Sequence, residues 1–164
     1  MLPTQIEMLQ RMPIFGALRD DALQVLLEHA HMVEAGAGTS YFREGDAACS
    51  MFVLETGRAL VTKAWRGREF VLNTLGPGDC FGEMSLLDLG PRSATVRAEQ
   101  DCRAIEFGTS DLLRLYERDM EQCAVVQMNI SREVCRRLRA TDEWLFRARM
   151  GEMPAGPEAF FRPV

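Results

Sequence analysis

The sequence predicts a mainly β fold, a β-roll or jelly roll, with helices before and after it. Three observations carry this expectation. Between Met32 and Phe107, short β-branched and aromatic runs alternate with glycine-bearing turns at roughly 8–12-residue intervals, the spacing of strands in a sandwich, roll or barrel. On either side of that stretch the apolar residues recur at helical spacing. The chain has 164 residues, 47% of them hydrophobic, which suits one domain with its own core and no need of disulfide staples or a structural metal.

Thr4 can cap a first helix that gathers Ile6, Met8, Leu9 and Met12 on one side, and Pro13 stops it. Asp20 or Asp21 can start a second helix bearing Leu23, Leu26, Leu27 and Ala30. Turns then follow at Gly36-Ala37-Gly38, Glu44-Gly45-Asp46, Gly57, Gly67 and Gly76-Pro77-Gly78. The run from Val53 to Val61 reads as two strands around a tight turn, and the run from Trp65 to Phe70 as a hairpin tip. One short helix, entered through Gly82, interrupts the β region between Phe81 and Asp88. Thr109 or Ser110 begins a helix with Leu112, Leu113 and Tyr116, and Asp111 is favourable in its first turn. A long helix runs from about Met120 to Met150. The expected organisation is helices over 1–30, a β-roll over 31–108 with a functional segment at 81–96, helices over 109–150, and a flexible Pro- and Gly-bearing tail over 151–164.

Composition excludes several classes. A formal charge of -5 and a pI near 5.1 argue against a general nucleic-acid binder, since phosphate backbones are held mainly by Lys and Arg. The five cysteines are scattered and form no CxxC pair, as in a reduced, cytoplasmic protein. Only His29 and His31 lie close together among metal-ligating types, so no metal or cofactor site is expected. The N-terminus lacks the basic start and apolar stretch of a signal peptide, and no apolar run approaches the ~18 residues a membrane span needs.

Residues 81–96, FGEMSLLDLGPRSATV, are the informative segment. Gly82 lets the backbone approach a ligand, and a helix start after it offers unpaired amides to an anion. Arg92 supplies a guanidinium fork matched to phosphate oxygens. Ser93 adds a hydroxyl and Ala94 an amide. A carboxylate at Glu83 is repelled by phosphate and should face something else, such as a sugar hydroxyl. The bland readings remain beside these: Arg92 as a surface residue after Pro91, and Glu83 as a dipole-favouring acid in a first helical turn.

The segment closely resembles the phosphate-binding cassette of cyclic-nucleotide-binding domains, the family of the bacterial catabolite activator protein and of the regulatory subunits of cAMP-dependent kinase. The resemblance runs over roughly residues 13–150 and includes Phe42-Arg43-Glu44-Gly45-Asp46 and Leu75-Gly76-Pro77-Gly78-Asp79. It implies that Glu83 accepts the ribose 2′-hydroxyl and that Arg92 binds the cyclic phosphate. Gly82, Met84, Ser85, Ser93 and Ala94 complete the cassette, and Val61, Leu72 and Asn73 fall where the family lines its pocket. The implied ligand is cAMP, with cGMP second.

Val134, Leu138, Thr141, Leu145 and Ala148 follow alternating four- and three-residue steps, a heptad seam. In activator-type relatives this helix pairs with its copy, and a Thr placed like Thr141 touches the purine. The neighbouring base contact from the second subunit falls at Asp142 here, which leaves base selection open. The alternative is that the seam packs on the chain's own roll and Thr141 is incidental. Six arginines against three acids between Arg132 and Arg149 read as a solvated helix face. About fourteen residues follow Met150, too few for a helix-turn-helix, so direct DNA binding is not expected. The expected function is a receptor, not an enzyme, that dimerises through the 120–150 helix and signals to a protein partner. The alternatives are an adaptor, or a sensor of something other than a nucleotide, that keeps the fold with an empty pocket.

Overall fold

The computed structural model describes residues 2–152; the expected tail falls outside them from Met153 onward. Helix α1 (Leu2–Gln10) is followed by a single 3-10 turn at Pro13–Phe15 and by α2 (Asp20–Leu27). Strands β1 (His31–Ala35), β2 (Ser40–Phe42), β3 (Ser50–Thr56), β4 (Ala59–Trp65), β5 (Arg68–Leu75) and β6 (Cys80–Phe81) come next. The short helix α3 (Met84–Asp88) precedes β7 (Thr95–Ala98) and β8 (Cys102–Gly108), and the described chain ends in α4 (Thr109–Arg118) and α5 (Met120–Arg149). Helix α1 already runs through Thr4, so that residue lies within the first turn and not at the cap.

Two antiparallel four-stranded sheets, ordered β1-β8-β3-β6 and β2-β7-β4-β5, form the roll. The two-residue alternation of strands explains how one sheet serves two cores. On β3, Met51 and Val53 face the helices, while Phe52 and Leu54 face the inside of the roll. On β8, Ile105 and Phe107 join the helical side, and Cys102 and Ala104 the inner side. Such central strands are buried on both faces, whereas β5 at the sheet edge is exposed over its first five residues. The β4–β5 hairpin turns at Arg66 and Gly67, both with positive φ (49° and 75°), as tight hairpin turns require.

The first half of α5 is docked and the second half projects. Asp119 caps the helix by accepting from the Gln122 amide at 3.1 Å. Val126 and Ile130 enter the helical core. Asn129 is buried and donates to the carbonyls of Ile14 (3.1 Å) and Gly16 (2.8 Å), tying α5 to the turn after α1. Beyond Ile130, Leu138 is 58% and Leu145 46% exposed. This part of the seam therefore does not pack on the chain's own roll. Among the described residues no helix is long and apolar enough to cross a membrane.

Asn129→Ala removes the donor to two carbonyls, and an unsatisfied buried group costs about 1–3 kcal/mol. Urea unfolding of this variant is expected to show a loss in that range with an unchanged m-value; an unchanged midpoint would show that the turn is held by packing alone.

Candidate functional site

The turn at residues 42–46 and the loop at residues 90–94 are stitched together by their backbones. Gly45 donates to the Arg92 carbonyl and Arg92 donates to the Asp46 carbonyl, each at 2.9 Å. The Asp46 carboxylate accepts from the Arg43 amide (2.8 Å) and the Thr95 hydroxyl from the Glu44 amide (3.0 Å). This explains the Phe42–Asp46 run: it fixes where Arg92 leaves the main chain.

The Arg92 side chain then runs inward, and the residue is only 5% exposed. Nη1 donates to the carbonyls of Ser50 (2.6 Å) and Gly82 (3.0 Å), and Nη2 to the Ser50 hydroxyl (3.0 Å). The guanidinium lies 4.0 Å from the Phe42 ring centroid and 5.6 Å from that of Phe52. Nε is buried without a partner. Every partner is a neutral oxygen or an aromatic face; among the described residues no carboxylate forms an ion pair with Arg92. Burial consequently lowers its pKa, with Glu106, Cys49, Asp46 and Glu83 opposing that only at a distance. Gly82 has φ +76°, and a Cβ there would collide with Arg92 Nη1. Glycine is needed at 82 both for the backbone turn and to make room for the guanidinium.

Glu83, 3% exposed, is compensated differently. Its Oε1 accepts from Nη1 of Arg137, across from α5, at 2.6 Å. Oε2 accepts no hydrogen bond from the described residues and is not fully buried. Arg137 also donates through Nε to Glu133 (3.1 Å) and through Nη2 to the Cys80 carbonyl (2.9 Å). Burial works against its charge, but Glu83, Cys80 and Glu133 outweigh it and hold the pKa above the ordinary value. The neighbouring Cys80 thiol is pushed up to about 12, first by burial and then by Glu83, so it stays a neutral thiol.

These groups share a cavity of about 280 Å³, near the lower end of small-molecule sites at about 300–1,000 Å³. Its wall contains Val61, Leu72, Asn73, Gly82, Glu83, Met84, Ser85, Arg92, Ser93 and Ala94, ten of the eleven residues that the sequence analysis assigned to a site. Among the described residues the Ser93 hydroxyl meets only the Met84 sulfur, at 3.8 Å. Thr141 is the residue not brought in. It is exposed, one turn beyond Arg137, and its hydroxyl donates to the Arg137 carbonyl at 2.9 Å. Lys63 and Arg137 line the cavity without having been singled out. The Glu133–Arg137 pair at i,i+4 was the one signal in the sequence that Arg137 is engaged. Among the described residues, no three of His, Cys, Asp or Glu converge as a metal site. A larger hollow, about 570 Å³, lies between α1, the β5–β6 turn and α5, but none of the cassette residues lines it.

Residues 32–119 match the family described as cyclic nucleotide-binding domain. The chain belongs to that family. It is 30% identical over 137 residues to the CRP-like cAMP-activated global transcriptional regulator of Mycobacterium tuberculosis, covering 83% of this chain and 59% of that protein. It superposes on the catabolite activator protein of Thermus thermophilus with a TM-score of 0.72 at 31% identity, covering 81% of this chain and 61% of the other. The regulatory domain of Toxoplasma gondii PKA, crystallised with cAMP, gives a TM-score of 0.65 at 28% identity over 70% of this chain and 44% of the other. This cyclic nucleotide-binding domain thus spans about three fifths of the length of the M. tuberculosis relative. Its mainly β roll with flanking helices is the fold the sequence predicts.

Removing Arg137 leaves a buried carboxylate without a cation. Because the Arg137 side chain is 32% exposed, the loss expected for Arg137→Ala falls below the full buried-pair range, at about 2–3 kcal/mol in urea unfolding. Arg137→Lys should recover only part, since one ammonium cannot reach Glu83, Glu133 and the Cys80 carbonyl together. Equal stability of Arg137→Ala and wild type would show that the bridge does not hold Glu83.

Proposed function

We propose that this domain is a reversible receptor for a cyclic nucleotide, cAMP ahead of cGMP, and that it acts by binding and not by catalysis. The observation that carries the reading is the buried guanidinium of Arg92, on the cavity wall, with no counter-ion among the described residues and with an unused Nε donor. An anionic phosphate is the partner such a group lacks, because a charge out of water is costly until it is paired. Glu83, held by Arg137, keeps Oε2 for a ribose hydroxyl, and Ser93 offers a hydroxyl on the same wall. An acceptor for a sugar hydroxyl beside a cation for phosphate matches a nucleotide whose phosphate closes back on its ribose. The names of the M. tuberculosis and T. gondii relatives, both tied to cAMP, support the same ligand.

The output runs through α5. Arg137 reaches the ribose side of the cavity from the same helix whose seam residues Leu138 and Leu145 are exposed. We propose that α5 pairs with a second copy along this seam and that a protein partner reads the dimer. Ligand binding shifts such an arrangement only if the two states differ in affinity. Contact with Glu83, and hence with Arg137, supplies a route to that difference.

Titration calorimetry with cAMP, cGMP and 5′-AMP tests the receptor reading. Micromolar or tighter binding of a cyclic nucleotide is expected, with no heat for 5′-AMP. Arg92→Ala should weaken it at least about tenfold, since loss of a buried charge partner costs about 2–5 kcal/mol. Gly82→Ala should also weaken it, by displacing the guanidinium. Saturating ligand at about 100 Kd should raise unfolding stability by about 2.7 kcal/mol. Equal affinity of wild type and a folded Arg92→Ala variant would overturn the phosphate assignment.

A further inference from the structure

Position along the seam assigns every residue of the projecting half of α5 a place in a two-stranded helix pair. With Leu138 and Leu145 at the a positions and Val134, Thr141 and Ala148 at d, Arg137 and Trp144 occupy g, and Asp142 and Arg149 occupy e. In a parallel pair each g residue meets the e residue five places on in the other helix. We propose that Arg137, which clamps Glu83 in the nucleotide cavity, also pairs across the two-fold axis with Asp142 of the partner subunit, so that one guanidinium is shared by the ligand site and the dimer seam. This rests on the reading of α5 as a dimer helix.

The local chemistry fits on both sides. Of the five N–H groups of a guanidinium, Arg137 gives one each to Glu133, Glu83 and the Cys80 carbonyl, with the Cys80 sulfur at 3.7 Å as a weaker partner. The side chain remains 32% exposed, so it has both a spare donor and a face open to solvent. Asp142 is exposed and has no hydrogen bond or ion pair among the described residues, although it sits within a helix rich in arginine. The same register sets Trp144 against Arg149 of the partner subunit, a cation over an aromatic face, and Arg149 is likewise without a side-chain partner among the described residues. Reversing the direction of one helix would set e against e and g against g; a register centred near Asp142 would then oppose like carboxylates. Both g–e pairs therefore favour the parallel arrangement. Through this shared residue, whatever factor the nucleotide applies to the dimer's affinity, the dimer applies to the nucleotide's.

The test uses the full chain without nucleotide, so that a contact between Asp142 and a base cannot contribute. Sedimentation equilibrium at low salt should give a dimer. Asp142→Ala should raise its dissociation constant about two- to thirtyfold, from two symmetric exposed pairs. Asp142→Lys should raise it further, and both differences should shrink near about 1 M salt as charges are screened. Leu138→Cys, in a Cys49→Ser and Cys135→Ser background, should oxidise to a covalent dimer if the helices are parallel and in register. Three results overturn the proposal: a dimer whose strength is unchanged in both Asp142 variants while Leu145→Arg dissociates it; a dimer that does not cross-link through Leu138→Cys; and a monomer at every concentration. The last removes the dimer reading too, while nucleotide calorimetry on that monomer still judges the receptor reading separately.

Discussion

Arg92 is a buried cation with which no carboxylate pairs among the described residues, and much of the local architecture follows from that one fact. A guanidinium in a poorly solvated place must find oxygens or aromatic faces. The structure supplies the Ser50 and Gly82 carbonyls, the Ser50 hydroxyl and the Phe42 ring. Each of these needs its own support. The 45–46 turn that follows Phe42 is bonded to the backbone of Arg92 itself, Ser50 begins a central strand, and Gly82 gives up its side chain to leave space. None of the partners is charged, so the site stays electropositive and preorganised.

Glu83 is the complement. It sits nine residues from Arg92 on the wall of the same cavity, but the two buried charges are not paired with each other. Glu83 is matched by Arg137, 54 residues away on α5. The separation keeps the Arg92 charge available for an anion while allowing a carboxylate to remain close by. It also means that the buried acid on the cavity wall is held in place by the helix that projects from the domain. Cys80, fixed as a neutral thiol, packs into this contact without adding charge.

The local parts of this arrangement were legible in the sequence. Gly82, Arg92 and the Phe42–Asp46 run carry their roles in residue type and spacing, and the roll with its flanking helices follows from turn spacing and helical periodicity. What escaped was non-local or depended on which way a helix face points. Arg137 looked like one more member of a solvated basic stretch, because its decisive partner lies in a distant segment and periodicity reports only neighbours within the helix. Lys63 sits on a strand whose inner and outer faces are told apart only once the two sheets are in place. Thr141 was assigned to the pocket by resemblance. In a single chain its hydroxyl is taken by the carbonyl one turn back, and the residue does not line the cavity.

The most direct measurement is the ¹⁵N–¹H resonance of Arg92 Nε, the donor left without a partner, followed through a titration with cAMP. The account predicts a large shift and slowed proton exchange that saturate with nucleotide and are absent with adenosine, which has no phosphate. Saturable binding of cAMP with that resonance unmoved would contradict the claim that Arg92 is held open for the phosphate.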